Sequence, residues 1–437
     1  MLNKVFGMIS LGCDKNRVDG ERILGEIKRH GCEITEDITR AQVLVINTCA
    51  FLSSAREESI NAVLEGNAYR GGALEKIVVT GCLPQKFIGE LFPALTEGDV
   101  FLGVNDASEL FPALEKSYKE GRVNAVGTGK AAPKERVVTT MPHLKYLKIA
   151  DGCFNHCTYC LIPKIRGKYV SYPMDELVEE AKSLGETDEL VLVAQDTTRY
   201  GEDGGKNLFV ELIKNLSKLD NICHIRLLYC YPEVIGEELI EEMKTNPKLI
   251  HYLDIPLQHS EDRILKLMGR RGKREDYLAL LARLRKEVPD IAIRTTFIAG
   301  FPSETEEEHK ALLSFLEEAR FENCGFFAYS REPDTPAYKL KGQVPASTKK
   351  RRVRELYKCQ EGVSKAKLKT WVGQKLQVVC DGIDYERSCF VGRAYFQAYE
   401  IDGAVYFTSP KAAEGERYSV VIDRAESYDL FGHTIDT

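Results

Sequence analysis

No run of 18 consecutive apolar residues occurs among the 437 residues, so no membrane-spanning helix is expected. The amino-terminal text, MLNKVFGMISLGCDKN, holds no extended apolar core of the kind a secretory signal uses, which points to a cytoplasmic, reducing setting. A basic excess is also missing. Sixty Lys and Arg stand against 66 Asp and Glu, a net charge of −6, so the composition lacks the electrostatic footprint of a nucleic-acid binder. Hydrophobic residues at 43% and charged residues at 29% exclude a disordered chain. At roughly 100 to 200 residues per domain the length divides into two to four domains. What the chain has in abundance is cysteine, 13 in all. Where disulfides are rare, such an excess points to metal, to redox chemistry or to burial as a small hydrophobe.

Residues 3–119 alternate β-rich and helical text. KVFGMISLGC ends at Cys13, AQVLVINTC at Cys49 and KIVVTGC at Cys82. Between them VDGERILGEIKRHG places Ile23, Leu24 and Ile27 on one helical face, and SSAREESINAVLEG does so with Ile60, Val63 and Leu64. The alternation predicts βαβ units and a parallel sheet, whose strand ends form one ligand-binding edge. Three cysteines 36 and 33 positions apart would therefore meet there, each beside a Gly or Thr that leaves room. Singly each reads as a buried structural residue; together they suggest an iron-sulfur cluster or another metal.

A stretch from about 120 to 138 has linker composition, and a second unit spans 139–368. KIADGCFNHCTYCLIP places Cys153, Cys157 and Cys160 in a C-x3-C-x2-C pattern on a loop after the strand LKYLKIA. Three thiolates in eight residues can hold three irons of a cubane and leave the fourth open. A zinc site is the other reading, but structural zinc takes four ligands, and His156, wedged between two of the cysteines, is poorly placed to be the fourth. Five more strand-like runs follow, ELVLVAQD, HIRLLYCY, HYLDIPLQ, IAIRTTFIAGF and NCGFFAYS, separated by helical text. Six strand-helix repeats predict a parallel barrel with its site at the carboxyl ends of the strands, beside Gln195, Asp196, Gln258 and His259, with Arg294 inside the fifth strand. His259 also reads as a loop cap, and Ser303 to Glu306 as a helix capping box. Cys32, Cys223, Cys230, Cys324, Cys359, Cys380 and Cys389 stand singly and are expected to be buried.

C-x3-C-x2-C with Tyr159 before the last cysteine resembles the radical S-adenosylmethionine superfamily. That resemblance implies a four-iron four-sulfur cluster on Cys153, Cys157 and Cys160 whose open iron binds S-adenosylmethionine. Tyr159, Gln195 and Arg294 are the expected contacts to that molecule. With the three upstream cysteines the chain resembles the methylthiotransferases, which implies a second four-iron cluster on Cys13, Cys49 and Cys82. VAQDTTRYGEDGG and DIPLQHSEDRILKLMGRR resemble the RimO branch, which modifies an aspartate of small-subunit ribosomal protein twelve. The MiaB branch, which modifies a transfer-RNA adenosine, differs at Asp196 and at DIPLQHS and is the alternative. A non-enzymatic iron-sulfur electron carrier and a plain RNA-binding module are others. The resemblance further implies an electron donor such as flavodoxin or ferredoxin and a sulfur donor.

Residues 371–437 turn to β-rich runs, QKLQVVCDG, RSCFVGRAYFQAYEIDG, AVYFTS and RYSVVIDRAESYDLFG, which predict a small antiparallel β-barrel and resemble the TRAM domain. The fold class expected is thus α/β: a parallel-sheet domain, a partial (β/α)6 barrel and a TRAM barrel. The last segment holds 11 acids and 6 bases, leaving 54 bases and 55 acids in the remainder. Nearly the whole imbalance lies in the final domain, which would repel phosphate and attract a basic protein, so transfer RNA is not the expected partner. The run Lys349–Arg352 with Arg354 reads as the solvated face of a helix.

Overall fold

The computed structural model describes residues 4–127 and 135–435. Residue 3, residues 436–437 and the middle of the expected linker lie outside the described residues.

The amino-terminal sheet has strands β1 (Val5–Ser10), β2 (Glu33–Ile34), β3 (Val43–Thr48), β4 (Lys76–Gly81), β5 (Val100–Phe101) and β6 (Val123–Asn124), all parallel, in the order β2-β1-β3-β4-β5-β6. β3 is apolar on both faces because helices cover both. Val43 and Val45 face α1 (Asp14–Arg29) and α4 (Leu110–Glu120), while Leu44 and Ile46 face α2 (Ser53–Asn67) and α3 (Cys82–Ala94). The sheet runs past residue 119, since β6 pairs with β5. Leu64 is exposed rather than facing the core. α2 approaches instead through Ser59, Val63 and Gly66, where a Cβ on Gly66 would press on Leu44 and Ile46.

The central sheet has β7 (Leu144–Lys148), β10 (Thr187–Val193), β11 (Ile222–Leu227), β12 (Leu249–Asp254), β13 (Ala292–Ala299) and β14 (Asn323–Ala328), parallel and adjacent in chain order. It curls into a partial barrel with two free edges. A short antiparallel pair, β8 (Ala150–Asp151) with β9 (Val170–Ser171), ties the base of the cysteine loop. Helices α6 (Met174–Ser183), α7 (Phe209–Ser217), α8 (Glu237–Thr245), α10 (Arg274–Glu287) and α11 (Glu306–Ala319) cover one face. Between them in the chain lie α5 (Ile162–Ile165) after the cysteine loop and α9 (Asp262–Leu267).

The other face of the sheet shares its core with the final domain, Tyr146, Val191, Val193, Leu228 and Tyr252 packing with Leu376, Val378, Phe396 and Phe407. That domain is a closed barrel of β15 (Lys375–Asp384), β16 (Cys389–Arg393), β17 (Val405–Thr408), β19 (Leu430–Thr434) and β18 (Arg417–Ala425). It is antiparallel except where β17 meets β19 in parallel. The strand expected across 387–403 ends at Arg393. Residues 394–402 form a plug against the central sheet, where Arg226 donates to the Tyr395 carbonyl (2.9 Å), Asn323 to that of Phe396 (2.8 Å) and the Tyr252 hydroxyl to Asp402 (2.7 Å).

The basic run begins α12 (Ala346–Leu368) and is only partly solvated. Lys350 and Arg354 are exposed, but Arg352 is buried on Glu304 (3.0 Å), Arg351 pairs with Glu306 (2.7 Å) and Lys349 donates to the Tyr329 carbonyl (2.8 Å). These bonds dock the helix on the barrel. The capping box of α11 is Thr305 with Glu308, two residues beyond the expected pair, because Ser303 adopts left-handed φ (67°) and its carbonyl accepts from Arg263.

The amino-terminal unit and the barrel are joined by buried charge. Lys148, fully inaccessible, donates to Asp19 of α1 (2.7 Å) and to Asp151 (2.8 Å), while Arg166 reaches Asp19 (2.6 Å) and Asp151 (3.2 Å). Burial alone would lift the Asp151 carboxyl, but Lys148 and Arg166 outweigh it and hold the group well below the usual range. Its contribution to stability is complete above about pH 4, where an unfolded carboxyl is ionised, and disappears as the pH falls toward the lower folded value. Asp151→Asn is expected to destabilise the apoprotein by about 3–5 kcal/mol at pH 7. The deficit should shrink below about pH 4, as read from denaturant unfolding of both proteins across pH.

Candidate active site between two cysteine sets

In the order β2-β1-β3 the chain reverses direction across the sheet between β1 and β3, and the crevice at such a switch point is the expected ligand edge. Cys13 and Cys49 follow those two strands. Cys13 is the N-cap of α1, Cys49 directly follows β3, and Cys82 is the first residue of α3. Gly12 (φ 97°) and Gly81 (φ 96°) make the tight turns ahead of two of them. A Cβ on Gly12 would lie 3.2 Å from the Cys49 sulfur, and one on Gly81 would lie 2.6 Å from the Thr48 carbonyl. Ser59 of α2 clamps Cys49, accepting from its N–H (3.0 Å) and donating to its carbonyl (2.9 Å). Cys13 therefore stands at the positive end of the four-turn helix α1, a setting that favours a negatively charged ligand, whereas α3 is kinked at Phe87, one turn past Cys82.

The second set lies on the loop closed by β8 and β9. Gly152 (φ 73°) has no room for a Cβ against the Lys168 carbonyl. Asn155 donates to the Cys153 sulfur from its backbone (3.4 Å) and side chain (3.5 Å), and its side chain also donates to Asp196 (2.9 Å). Ile162 N–H points at the Cys160 sulfur (3.4 Å), and the Tyr231 hydroxyl lies 3.2 Å from that of Cys157. Thr158 pins the loop to α9, its N–H donating to the Met268 carbonyl (2.9 Å). Burial raises the thiols of Cys153 and Cys160, while the N–H groups aimed at their sulfurs oppose it. Buried sulfurs that already receive N–H donors are suited to bind iron as thiolates. His156 is exposed, and among the described residues no three His, Cys, Asp or Glu side chains gather round a single ion.

The two sets are neighbours. Leu161 and Ile165, just after the loop, pack with Cys82 and Leu83, and Arg166 donates to the Cys82 sulfur (3.4 Å). Burial lifts the Cys82 thiol to about 11 against the pull of that guanidinium. Tyr229, a non-glycine residue at φ 60°, donates from its hydroxyl to Asp14 (3.1 Å), and Lys15 sits over its ring at 3.2 Å. The barrel is thereby bound to the residues that follow Cys13.

Other expected site residues fall in several places. Gln195 is half-buried after β10, and its Oε1 is buried with no hydrogen-bond partner among the described residues. Tyr159 packs against Ile264, Met268 and Phe301. Arg294 is held by Asp254 (2.8 Å) and by Asp402 of the plug (3.4 Å). Asp196 orders the loop through Asn155 and Thr198, and burial pushes its carboxyl up to about 6. His259 is fully buried and accepts the Glu261 N–H (3.1 Å), a loop cap, and burial lowers it to about 3. Gln258, at φ 72°, continues the ladder beside β13 through its backbone. Of the solitary cysteines, Cys32, Cys230 and Cys380 are buried, whereas Cys223 is exposed. Arg166, Lys148, Asp19 and Asn155 were not singled out from sequence, although Arg166 is a lone fork-shaped cation just after the cysteine pattern.

Residues 147–316 match the model of the radical SAM superfamily, residues 5–103 that described as uncharacterized protein family UPF0004, and residues 372–435 that of the TRAM domain. Among solved structures the fold resembles the radical S-adenosylmethionine methyltransferase TsrM from Kitasatospora setae, with a TM-score of 0.55 at 14% identity over 77% of each chain. The class defined is a radical S-adenosylmethionine enzyme with a doubly wound domain before the barrel and a TRAM domain after it.

The chain is 45% identical to a protein of Lachnoclostridium phytofermentans over 98% of this chain and 99% of the relative. It is 45% identical to one of Clostridium kluyveri over 98% of each, and 41% identical to one of Acetivibrio thermocellus over 100% and 99%. All three are named ribosomal protein uS12 methylthiotransferase RimO. The chain belongs to the RimO family of radical S-adenosylmethionine methylthiotransferases.

Asn155→Ala removes the side-chain donor to Cys153 and the tie to Asp196, and leaves the backbone N–H on that sulfur. A stability loss of about 1–3 kcal/mol is expected, with faster backbone hydrogen exchange confined to the loop around residues 152–162.

Proposed function

We propose that this chain acts in the cytoplasm and inserts sulfur and a methyl group at the β-carbon of an aspartate in ribosomal protein uS12, using clusters on Cys153, Cys157, Cys160 and on Cys13, Cys49, Cys82. The observation that carries the reading is the contact of the two cysteine sets through Arg166 and Cys82, which joins a radical-generating loop to a second thiol site. It divides the chain into a methylthiotransferase domain, a radical S-adenosylmethionine core and a TRAM domain.

Bound there, the clusters and S-adenosylmethionine supply the one-electron chemistry that an unactivated C–H bond demands. The protein's own residues position and shield. Asn155 and Ile162 orient the sulfurs of one set, and Ser59 and the glycine turns orient the other. We assign Gln195, Tyr159 and Arg294 to S-adenosylmethionine. Gln195 is the best supported by its unpartnered Oε1; Arg294 already answers to two carboxylates. A one-electron donor such as flavodoxin or ferredoxin and a sulfur donor complete the partners.

A basic protein substrate accords with the final domain. Asp381 and Asp402 are consumed in internal pairs, but so are Arg393 and Arg417, and Glu386, Glu400, Glu414, Glu416, Asp423 and Glu426 remain exposed. Glu400 pairs with Arg17 at 2.6 Å, one turn along α1 from Cys13, which ties the final domain to the helix that begins at that cysteine.

Deleting the gene should strip the methylthio mass increment from uS12 and leave transfer-RNA hydrolysates unchanged, as read by mass spectrometry; loss from transfer RNA instead would move the chain's substrate to the nucleic acid. Anaerobic reconstitution should yield about eight irons per chain, two four-iron clusters. Cys153→Ala and Cys82→Ala should each remove about half of that iron, and a variant with iron unchanged would refute its set.

A further inference from the structure

We infer that Arg166 tunes the electron affinity of the cluster on Cys13, Cys49 and Cys82 from within the loop that carries the other set. This rests on the proposed assignment of that cluster. Arg166 is 1% exposed in its side chain. One terminal nitrogen binds Asp19 (2.6 Å) and Asp151 (3.2 Å); the other binds Asn16 (3.3 Å) and the Cys82 sulfur (3.4 Å). Among the described residues this is the one bond from a charged side chain to any of the six sulfurs. The barrel set receives neutral donors from Asn155 and Ile162. Arg270, though close to Cys157, gives its hydrogen bond to the Pro256 carbonyl (2.8 Å) and lies over the Tyr231 ring.

A cluster that takes up an electron becomes more negative. A buried cation bonded to one of its sulfurs therefore favours the reduced form, strongly so where water is excluded. The field of Arg166 is itself opposed by Asp19, whose carboxylate lies nearest to it. Removing either charge must then move the equilibrium in opposite directions. Arg166→Gln strips the cation and favours the oxidised cluster; Asp19→Asn leaves the cation less neutralised and favours the reduced one. A role limited to holding the fold predicts no such opposition.

The test uses the full-length chain carrying Cys153→Ala, Cys157→Ala and Cys160→Ala, reconstituted anaerobically so that one cluster remains, and titrated with dithionite and mediators under electron paramagnetic resonance. At a fixed poise the reduced-to-oxidised ratio should fall about tenfold in Arg166→Gln, about 59 mV for a one-electron couple, and should rise in Asp19→Asn. In the reciprocal background, with Cys13, Cys49 and Cys82 replaced by Ala, Arg166→Gln should shift the remaining cluster less. Unchanged ratios, shifts of the same sign in both variants, or equal shifts in the two backgrounds overturn the inference. If Arg166→Gln does not fold, Asp19→Asn decides alone, and a ratio that stays or falls overturns it. A triple-alanine chain that takes up no iron refutes the assignment of the cluster itself, an outcome distinct from a cluster present with its potential unmoved.

Discussion

Two buried cations and two buried carboxylates, Lys148 and Arg166 with Asp19 and Asp151, hold this molecule in one arrangement. Taking four charges out of water costs several kcal/mol per ion, and the attraction among them returns that only when every charge finds its partners. Here they do. Lys148 comes from the first barrel strand, Asp151 from the short strand beside it, Arg166 from the end of the cysteine loop and Asp19 from the first helix. Apolar residues in these places would pack in many registers, whereas four alternating charges accept few. The network is better understood as specifying how the amino-terminal unit docks on the barrel than as adding net stability.

The same constraint determines where the sulfurs lie. Cys82 opens α3, and Arg166 reaches it only because Asp19 and Asp151 have already fixed the guanidinium. The glycine turns at Gly12 and Gly81 let strands of a parallel sheet pass into helices without lifting Cys13 and Cys82 away from the edge. Asn155 and Asp196 do the corresponding work on the barrel loop. Each set is shaped locally, but their adjacency is a property of the interface.

That division explains what could be read from the amino-acid sequence. The three cysteine-terminated strands, the six barrel strands and the small final barrel are continuous text with strong periodicity, and the structure contains them all. β2, β5 and β6 were missed because two-residue strands carry no period. Residues 394–402 read as a strand because Tyr395, Phe396, Tyr399 and Ile401 are apolar, yet they fill the face of the central sheet as a plug. Lys349, Arg351 and Arg352 read as solvated for the converse reason: their partners, Tyr329, Glu306 and Glu304, belong to other elements. Arg166 escaped because nothing in the sequence marks it out from Lys164 and Lys168 on either side. Only its position between Asp19 and Cys82 gives it meaning.

The plug also changes how the final domain's charge should be understood. A TRAM barrel tethered only through α12 would swing its acidic surface freely. This one is fastened to the barrel interior through Asp402 on Arg294 and Tyr252, and to α1 through Glu400 on Arg17. Fastening at those points removes Asp402 from the surface and leaves Glu400, half-exposed, paired with Arg17 of α1. A net-acidic domain fastened in this way can orient a basic protein as well as attract it, because long-range attraction raises encounter while rigid placement selects the segment presented. Arg294 then has a role that its strand position alone does not suggest: by answering both Asp254 and Asp402 it couples the wall of the barrel to the final domain.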